Sequence, residues 1–297
     1  MIDDSPRRVR FIWGNMFGLS RQTAVTQGPF GPFQLHELIN SGGMAEIWLA
    51  TNARNEHLAL RLMQETSGFD FLSKKRFLRG SEVLSTMSPH DSVIRYLGHG
   101  KINGILYQAT EYVEGANLKQ CMARNDENLA EFVGNIILDA ASALEHVHDS
   151  GYMHLDFKPE NIMVTANGGS RLIDFDLAQP IPDKPKKLTG NPGTPAYMAP
   201  EQLMRRPIDR RTDIFSFGVT AYEVLTFHKP FPGETPKEVL LKQIADRQNG
   251  FVPPRELNPA IPAGVEKAIL KCIEADPERR YPYMSVLVRD LKSALYV

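Results

Sequence analysis

The sequence predicts an α+β protein of two lobes, a small, mainly β lobe carrying one helix and a larger, mainly helical one. Short alternating apolar runs fill Phe33 to about Tyr112, and apolar residues at helical spacing follow Gly115. At 297 residues and 42% hydrophobic, the chain can bury one large core or two smaller ones.

Residues 1–32 read as a flank, because Gly28-Pro29 and Gly31-Pro32 punctuate rather than build structure. Within it Trp13 and Phe17 stand at one-turn spacing, which fits a docking arm or a dimerisation element as well as a disordered lead. The small lobe, 33–113, has strand-like runs at FQLHELIN, EIWLAT, LALRLM and ILYQATEYV, with a helical stretch around Lys74 to Met87. In the large lobe, 114–297, Leu129, Phe132, Val133, Ile136, Ile137, Ala140, Leu144 and Val147 mark one face of a long helix. Gly151 stands where a left-handed cap belongs. Further helices are expected at Asp213 to Leu225, at Thr235 to Asp246 with Thr-Pro as cap and first turn, at Val265 to Ala275 and at Met284 to Leu295. The cleft between two such lobes is the natural place for a ligand.

A net charge of -1 gives no global reason to expect nucleic acid or an acidic membrane as partner. Cys121 and Cys272 each stand alone, so neither a zinc site nor a disulfide framework is predicted, and a reducing, cytoplasmic setting is expected. The most apolar long stretch, Phe132 to Val147, is broken by Asn135, Asp139, Glu145 and His146, which excludes it as a membrane span. His146, His148 and His154 cluster in sequence without the carboxylates or cysteines that would complete a zinc site, and they read as core or surface histidines.

The densest chemistry lies between Tyr152 and Asp176. YMHLDFKPENIMV followed by RLIDFDLA brings Asp156, Lys158, Asn161 and Asp174 into one short span. A carboxylate such as Asp156 can accept or align a hydroxyl proton. Lys158 can neutralise charge on a transferring phosphoryl group, and Asn161 with Asp174 can hold magnesium through hard oxygen ligands.

Over about residues 33 to 295 the chain resembles the eukaryotic-like (Hanks-type) serine/threonine protein kinases. HLDFKPEN is similar to the family's H-R-D-x-K-x-x-N loop, DFD to its D-F-G motif, and APE at Ala199 to Glu201 to the end of its activation segment. SGGMAEIWLA resembles the glycine-rich loop as bacterial members write it, and GTPAYMAPE the peptide-docking segment. The resemblance implies a bilobal kinase fold, ATP and Mg2+ as ligands, and a protein substrate or regulatory partner. Position by position it implies Asp156 as catalytic base, Lys158 as phosphate-neutralising residue, Thr194 as the brace of Asp156, and Asn161 and Asp174 as magnesium ligands. The nucleotide would meet Asn40, Gly42 and Gly43 in the loop, and Arg61 at the phosphates. Thr110 would be gatekeeper, the backbones of Glu111 and Val113 would meet the adenine edge, Ile47, Ala59 and Met163 its faces, and Asn117 would also be a nucleotide-binding residue. Asp213 would tie the catalytic loop to a central helix, and Glu201 would pair with Arg280.

Several departures from the family pattern bear on function. LALR stands where the family has V-A-I-K, so Arg61 replaces the phosphate-anchoring lysine, an exchange that alters reach and hydration. RFLRGSEVL puts Gly80 where the partnering glutamate belongs, and Glu82 is roughly 200 degrees away around a helix. Asp176 replaces the glycine of D-F-G, which predicts an Arg61–Asp176 pair in place of the helix glutamate. Leu155 replaces the arginine of H-R-D, which predicts weak control through a phosphorylated activation loop. Thr189 remains a candidate phosphosite beside the Lys184 to Lys187 run. Asn40 and Ala45 replace loop glycines, and Asn40 is expected to tolerate the backbone angles of the turn. Three readings stay open: a serine/threonine protein kinase impaired by Arg61 and Gly80, a pseudokinase acting as a nucleotide-binding scaffold or allosteric partner, and a kinase-fold enzyme acting on small molecules.

Overall fold

The computed structural model describes residues 25–42, 44–64, 70–190, 193–245 and 251–296. Trp13, Phe17 and Gly43 therefore lie outside the described residues. The first strands are β1 (Gly28–Phe30), β2 (Phe33–Ser41), β3 (Ala45–Thr51) and β4 (His57–Met63). After the helix α1 (Asp70–Thr86) come β5 (Tyr96–Ile102) and β6 (Ile105–Glu111). These strands form one antiparallel sheet in the order β1-β2-β3-β4-β6-β5. Alternation decides its faces. Trp48, Ala50, Leu58, Leu60 and Leu62 close an apolar core with Phe30, Leu35 and Ala109, while Ile47, Ala59 and Arg61, one residue out of phase, lie half-buried on the opposite face.

The sheet begins at Gly28, inside the segment read as a flank, because Gly31 (φ +57) supplies the left-handed backbone of the tight turn that folds β1 onto β2. Strand β5 is unpredicted as well. Its Gly98 and Gly100 remove the side chains that would have shown the alternation.

Beyond the hinge, β7 (Gly115–Asn117) leads into α2 (Leu118–Arg124) and the long α3 (Glu127–Asp149), which ends at Gly151 with φ +87. Short strands β8 (Tyr152–Met153), β9 (Ile162–Thr165), β10 (Ser170–Leu172) and β11 (Gln179–Pro180) form two small sheets, β10-β9-β7 and β11-β8. The helices α4 (Pro200–Leu203), α5 (Arg211–Thr226), α6 (Pro236–Ile244), α7 (Pro254–Leu257), α8 (Ala263–Cys272) and α9 (Met284–Leu295) complete the lobe. Thr235 caps α6 as expected, its hydroxyl accepting from the Glu238 amide. The main core joins α3, α5, α8 and α9 to Phe175 and to Val83 and Leu84 of α1, so the small lobe's helix is packed into the large lobe. Cys121 and Cys272 are free and buried.

Candidate active site

The catalytic-loop residues are assembled by backbone. β8 delivers the chain to His154, and the amides of His154 and Leu155 both donate to the buried Asp213 carboxylate on α5, each at 2.8 Å. His148, near the end of α3, reaches the same carboxylate through Nε2 at 2.9 Å. Burial pushes the Asp213 carboxyl up, but the hydrogen bond and charge of His148, with His154 and the Leu155 amide, outweigh it and leave the group below the ordinary carboxylate range. Leu155 has φ +64, a left-handed conformation a leucine adopts only under constraint, and the Asp213 bond supplies it.

That turn presents Asp156 beside its expected neighbours. Lys158 Nζ donates to Asp156 Oδ2 at 2.7 Å and to Thr194 Oγ1 at 2.9 Å, while Thr194 donates to Asp156 Oδ1 at 3.4 Å. Asn161 Nδ2 donates to the Asp156 carbonyl at 2.8 Å and to its Oδ2 at 3.1 Å. With its amide nitrogen so engaged, the oxygen of Asn161 is the atom left for a cation. The Ile173 amide donates to the Asn161 carbonyl at 2.9 Å, which brings Asp174, at φ +63, alongside. Among the described residues no group of three or more His, Cys, Asp or Glu could hold a metal alone. A magnesium ion held by one carboxylate, one amide oxygen and nucleotide phosphates needs none.

Arg61 meets Asp176 in a two-pronged ion pair, Nη1 to Oδ1 at 2.7 Å and Nη2 to Oδ2 at 2.6 Å. The pairing expected from sequence is thus the one the structure adopts. Burial opposes the Arg61 charge, and Asp176 and Asp174 overcome it and hold the guanidinium protonated. Burial raises the Asp176 carboxyl against the pull of Arg61. Glu82 is exposed and takes no part.

Residues 33–291 match the protein kinase domain model. The chain belongs to the protein kinase domain family. It is 32% identical over 265 residues to a probable serine/threonine-protein kinase of Clostridium acetobutylicum, covering 88% of this chain and 39% of that protein. It is 28% identical over 267 residues to serine/threonine-protein kinase PknB of Mycobacterium tuberculosis, covering 87% of this chain and 42% of that protein. The chain thus spans about two-fifths of the length of the curated relatives it matches.

Other kinase-motif positions fall as follows. Ile47 lies opposite Arg61 in the β3–β4 register, and Ala59 lies opposite Thr110 of β6. Met163 of β9 pairs with Asn117 of β7. Glu111 is tied down by its side chain, which accepts from the Arg95 amide at 3.0 Å and pairs with Arg171 at 3.4 Å, and Val113 packs on the main core. Asn117 proves to be the N-cap of α2, its side chain accepting from the Gln120 amide in a reciprocal capping box. Asn40 corrects an expectation: it lies in β2 opposite Ile47, with ordinary extended backbone, and the turn does not call on its tolerance of unusual angles. The neighbouring Gly42 amide closes the loop onto the Ala45 carbonyl at 3.0 Å.

Sequence reasoning set His148 aside, yet it is a ligand of Asp213. No local pattern marks it, since its partner lies 65 residues away. Glu201 and Arg280 pair through two 2.8 Å bonds, as the family resemblance implies. No helix among the described residues is long and apolar enough to cross a membrane.

Proposed function

We propose that this domain is an ATP-dependent protein serine/threonine kinase that transfers the γ-phosphoryl group of ATP to a serine or threonine hydroxyl of a protein. The observation that carries this reading is the closed Asp156–Lys158–Thr194–Asn161 cluster, in which every member contacts another through a bond that fixes it. Asp156 is the proton acceptor that aligns the incoming hydroxyl. Lys158 sits between it and Thr194, where its charge balances the transferring group. Asn161 and Asp174 are the oxygen donors for magnesium, and the ion when bound neutralises phosphate charge. Ile47, Ala59 and Met163 offer half-buried apolar surface to the adenine, with the backbone at Glu111 and Val113 at its polar edge.

The assay is transfer of radiolabelled phosphate from ATP to the domain itself and to a generic basic protein, alongside calorimetric binding of ATP with and without magnesium. Magnesium-dependent binding and transfer that Asp156→Ala abolishes are expected. Binding without transfer would instead make the domain a nucleotide-dependent scaffold, the reading that Arg61 in place of lysine favours, and phosphorylation of a small metabolite alone would identify a small-molecule kinase.

A further inference from the structure

The carboxylate that steadies the phosphate-anchoring cation has moved from the helix of the small lobe to the segment that carries the metal-side aspartate. We propose that Asp176 is the positioning residue of the Arg61 anchor and that Gly80 is the space that admits it, so that anchor and metal-side carboxylate form one unit that α1 does not gate. This rests on the kinase reading above and deepens it.

Three observations converge. The first is the fork-to-fork geometry of the Arg61–Asp176 pair, which fixes the plane of the guanidinium as well as its distance. The Asp176 side chain is 4% exposed, so little water competes for it. The Phe77 ring of α1 lies 5.1 Å from the guanidinium carbon and limits its swing on one side.

The second is steric. A Cβ built on Gly80 would lie 2.6 Å from Asp176 Oδ1 and 3.0 Å from both the Asp176 nitrogen and the Phe175 carbonyl carbon. Two of those contacts are with backbone, which cannot step aside as a flexible side chain can. Gly80 is not at positive φ, so the glycine is required for closeness and not for its torsion. A glutamate at 80 and the present Asp176 exclude each other. Loss of the one and gain of the other are a single exchange, in which the carboxylate has crossed from helix to segment.

The third is connectivity. The Asp176 amide donates to Asp174 Oδ1 at 3.2 Å, which ties the anchor's partner to the metal-side carboxylate through two residues of chain. Phe175 between them is buried against His154, ring centroids 5.0 Å apart. What faces Asp176 is therefore Arg61 and Asp174, with Arg76 of α1 as a further positive charge. Among the described side chains of α1 the one carboxylate, Glu82, is exposed, and none of them supplies Arg61 with a counter-ion that turning the helix could withdraw.

Two single variants and one reversal test this, read in ATP kinetics and in thermal melting. Asp176→Asn and Gly80→Ala are each expected to lower kcat/KM for ATP at least tenfold while KM for the protein acceptor stays within twofold. The triple variant Arg61→Lys, Gly80→Glu, Asp176→Gly, which returns the charge to the helix, is expected to recover to within about threefold of wild type. A purely structural role for Asp176 would lower the melting temperature and leave kcat/KM for ATP per folded molecule unchanged. That result overturns the inference while the kinase reading stands, as does a triple variant no better than Asp176→Asn. If wild type binds Mg-ATP without transfer, the same comparison is made in Kd, with the same tenfold criterion. If wild type neither binds nor transfers, the kinase reading falls and takes this inference with it.

Discussion

Lys158 has two partners, and their geometry divides the work within the catalytic cluster. Both contacts are charge-assisted, the 2.7 Å bond to Asp156 joining two ions and the 2.9 Å bond to Thr194 an ion and a neutral hydroxyl. Removing the hydroxyl by Thr194→Val leaves both charges in place but frees Lys158 to swing. A displacement of about 1 Å at a reacting centre costs on the order of 100-fold in rate. Single-turnover transfer by Thr194→Val should therefore fall by about that factor with Mg-ATP affinity unchanged, and a matched loss of affinity would show that Thr194 acts on the nucleotide instead. At this scale the sequence was most legible where residues meet their partners locally. Asp156, Lys158 and Asn161 lie within one loop, and the structure brings them together. The capping role of Asn117 was present in Asn117-x-x-Gln120, a capping-box pattern, and went unread. The bond between His148 and Asp213 was not legible, because it closes between two helices far apart in the chain, although Asp213 itself was expected to tie the catalytic loop to a central helix.

The activation segment is an element held in an unusual way. Leu155, where the family carries a cation for a phosphorylated loop, is buried with Met153 and Ile208, and Leu177, Ile181 and Leu188 of the segment pack on that cluster. The Lys186 and Ile208 backbones exchange two 3.0 Å bonds, and the Ile181 amide donates to the Gly151 carbonyl at 2.8 Å. Apolar burial and backbone pairing thus hold the segment without a phosphate. Thr189 is exposed and outside these contacts. Thr189→Ala should leave activity within twofold of wild type, checked by initial rates after phosphatase treatment of both proteins. Leu155→Ala should cost about 2–5 kcal/mol by emptying the cluster, and limited proteolysis should then cut between 179 and 208 where wild type resists. Helices were read well from sequence because their stripes are long and periodic, as in α3, and both Gly151 and Thr235 signalled their ends. Strands fared worse. In β5 two glycines hide the period, and in β1 a Gly-Pro pair that reads as a break is an edge strand, where proline's missing N–H is tolerated.

At the scale of the whole molecule, buried ionic sites besides Arg61–Asp176 also join elements that are far apart in the chain. Arg280, its side chain fully buried, meets Glu201 of α4 and also donates to the carbonyls of Arg211, Glu274 and Ala275. Glu201→Ala would leave that guanidinium without its counter-ion and should destabilise the domain by about 3–5 kcal/mol in chemical denaturation. Asp213 is another such site, gathering α3, the catalytic loop and α5 on one carboxylate. Its pKa is depressed in the folded state, so it contributes stability at pH values above its unfolded pKa of about 3.9. That contribution is lost as pH falls through the folded value, because the unfolded chain takes up the proton first. Asp209, where burial is likewise outweighed by hydrogen bonds from Arg211, acts in the same window and direction. Melting curves from pH 7 down to about 3 should show wild-type stability falling steeply below about pH 4. Asp213→Asn keeps an acceptor for one of the His154 and Leu155 amides but turns a donor toward the other, and should be less stable at pH 7 by about 3 kcal/mol. It should also lose less on acidification, with Asp209 leaving a residual slope. Equal slopes in the two proteins would mean that Asp213 is not depressed, and that the catalytic loop is held by the neutral hydrogen bonds alone.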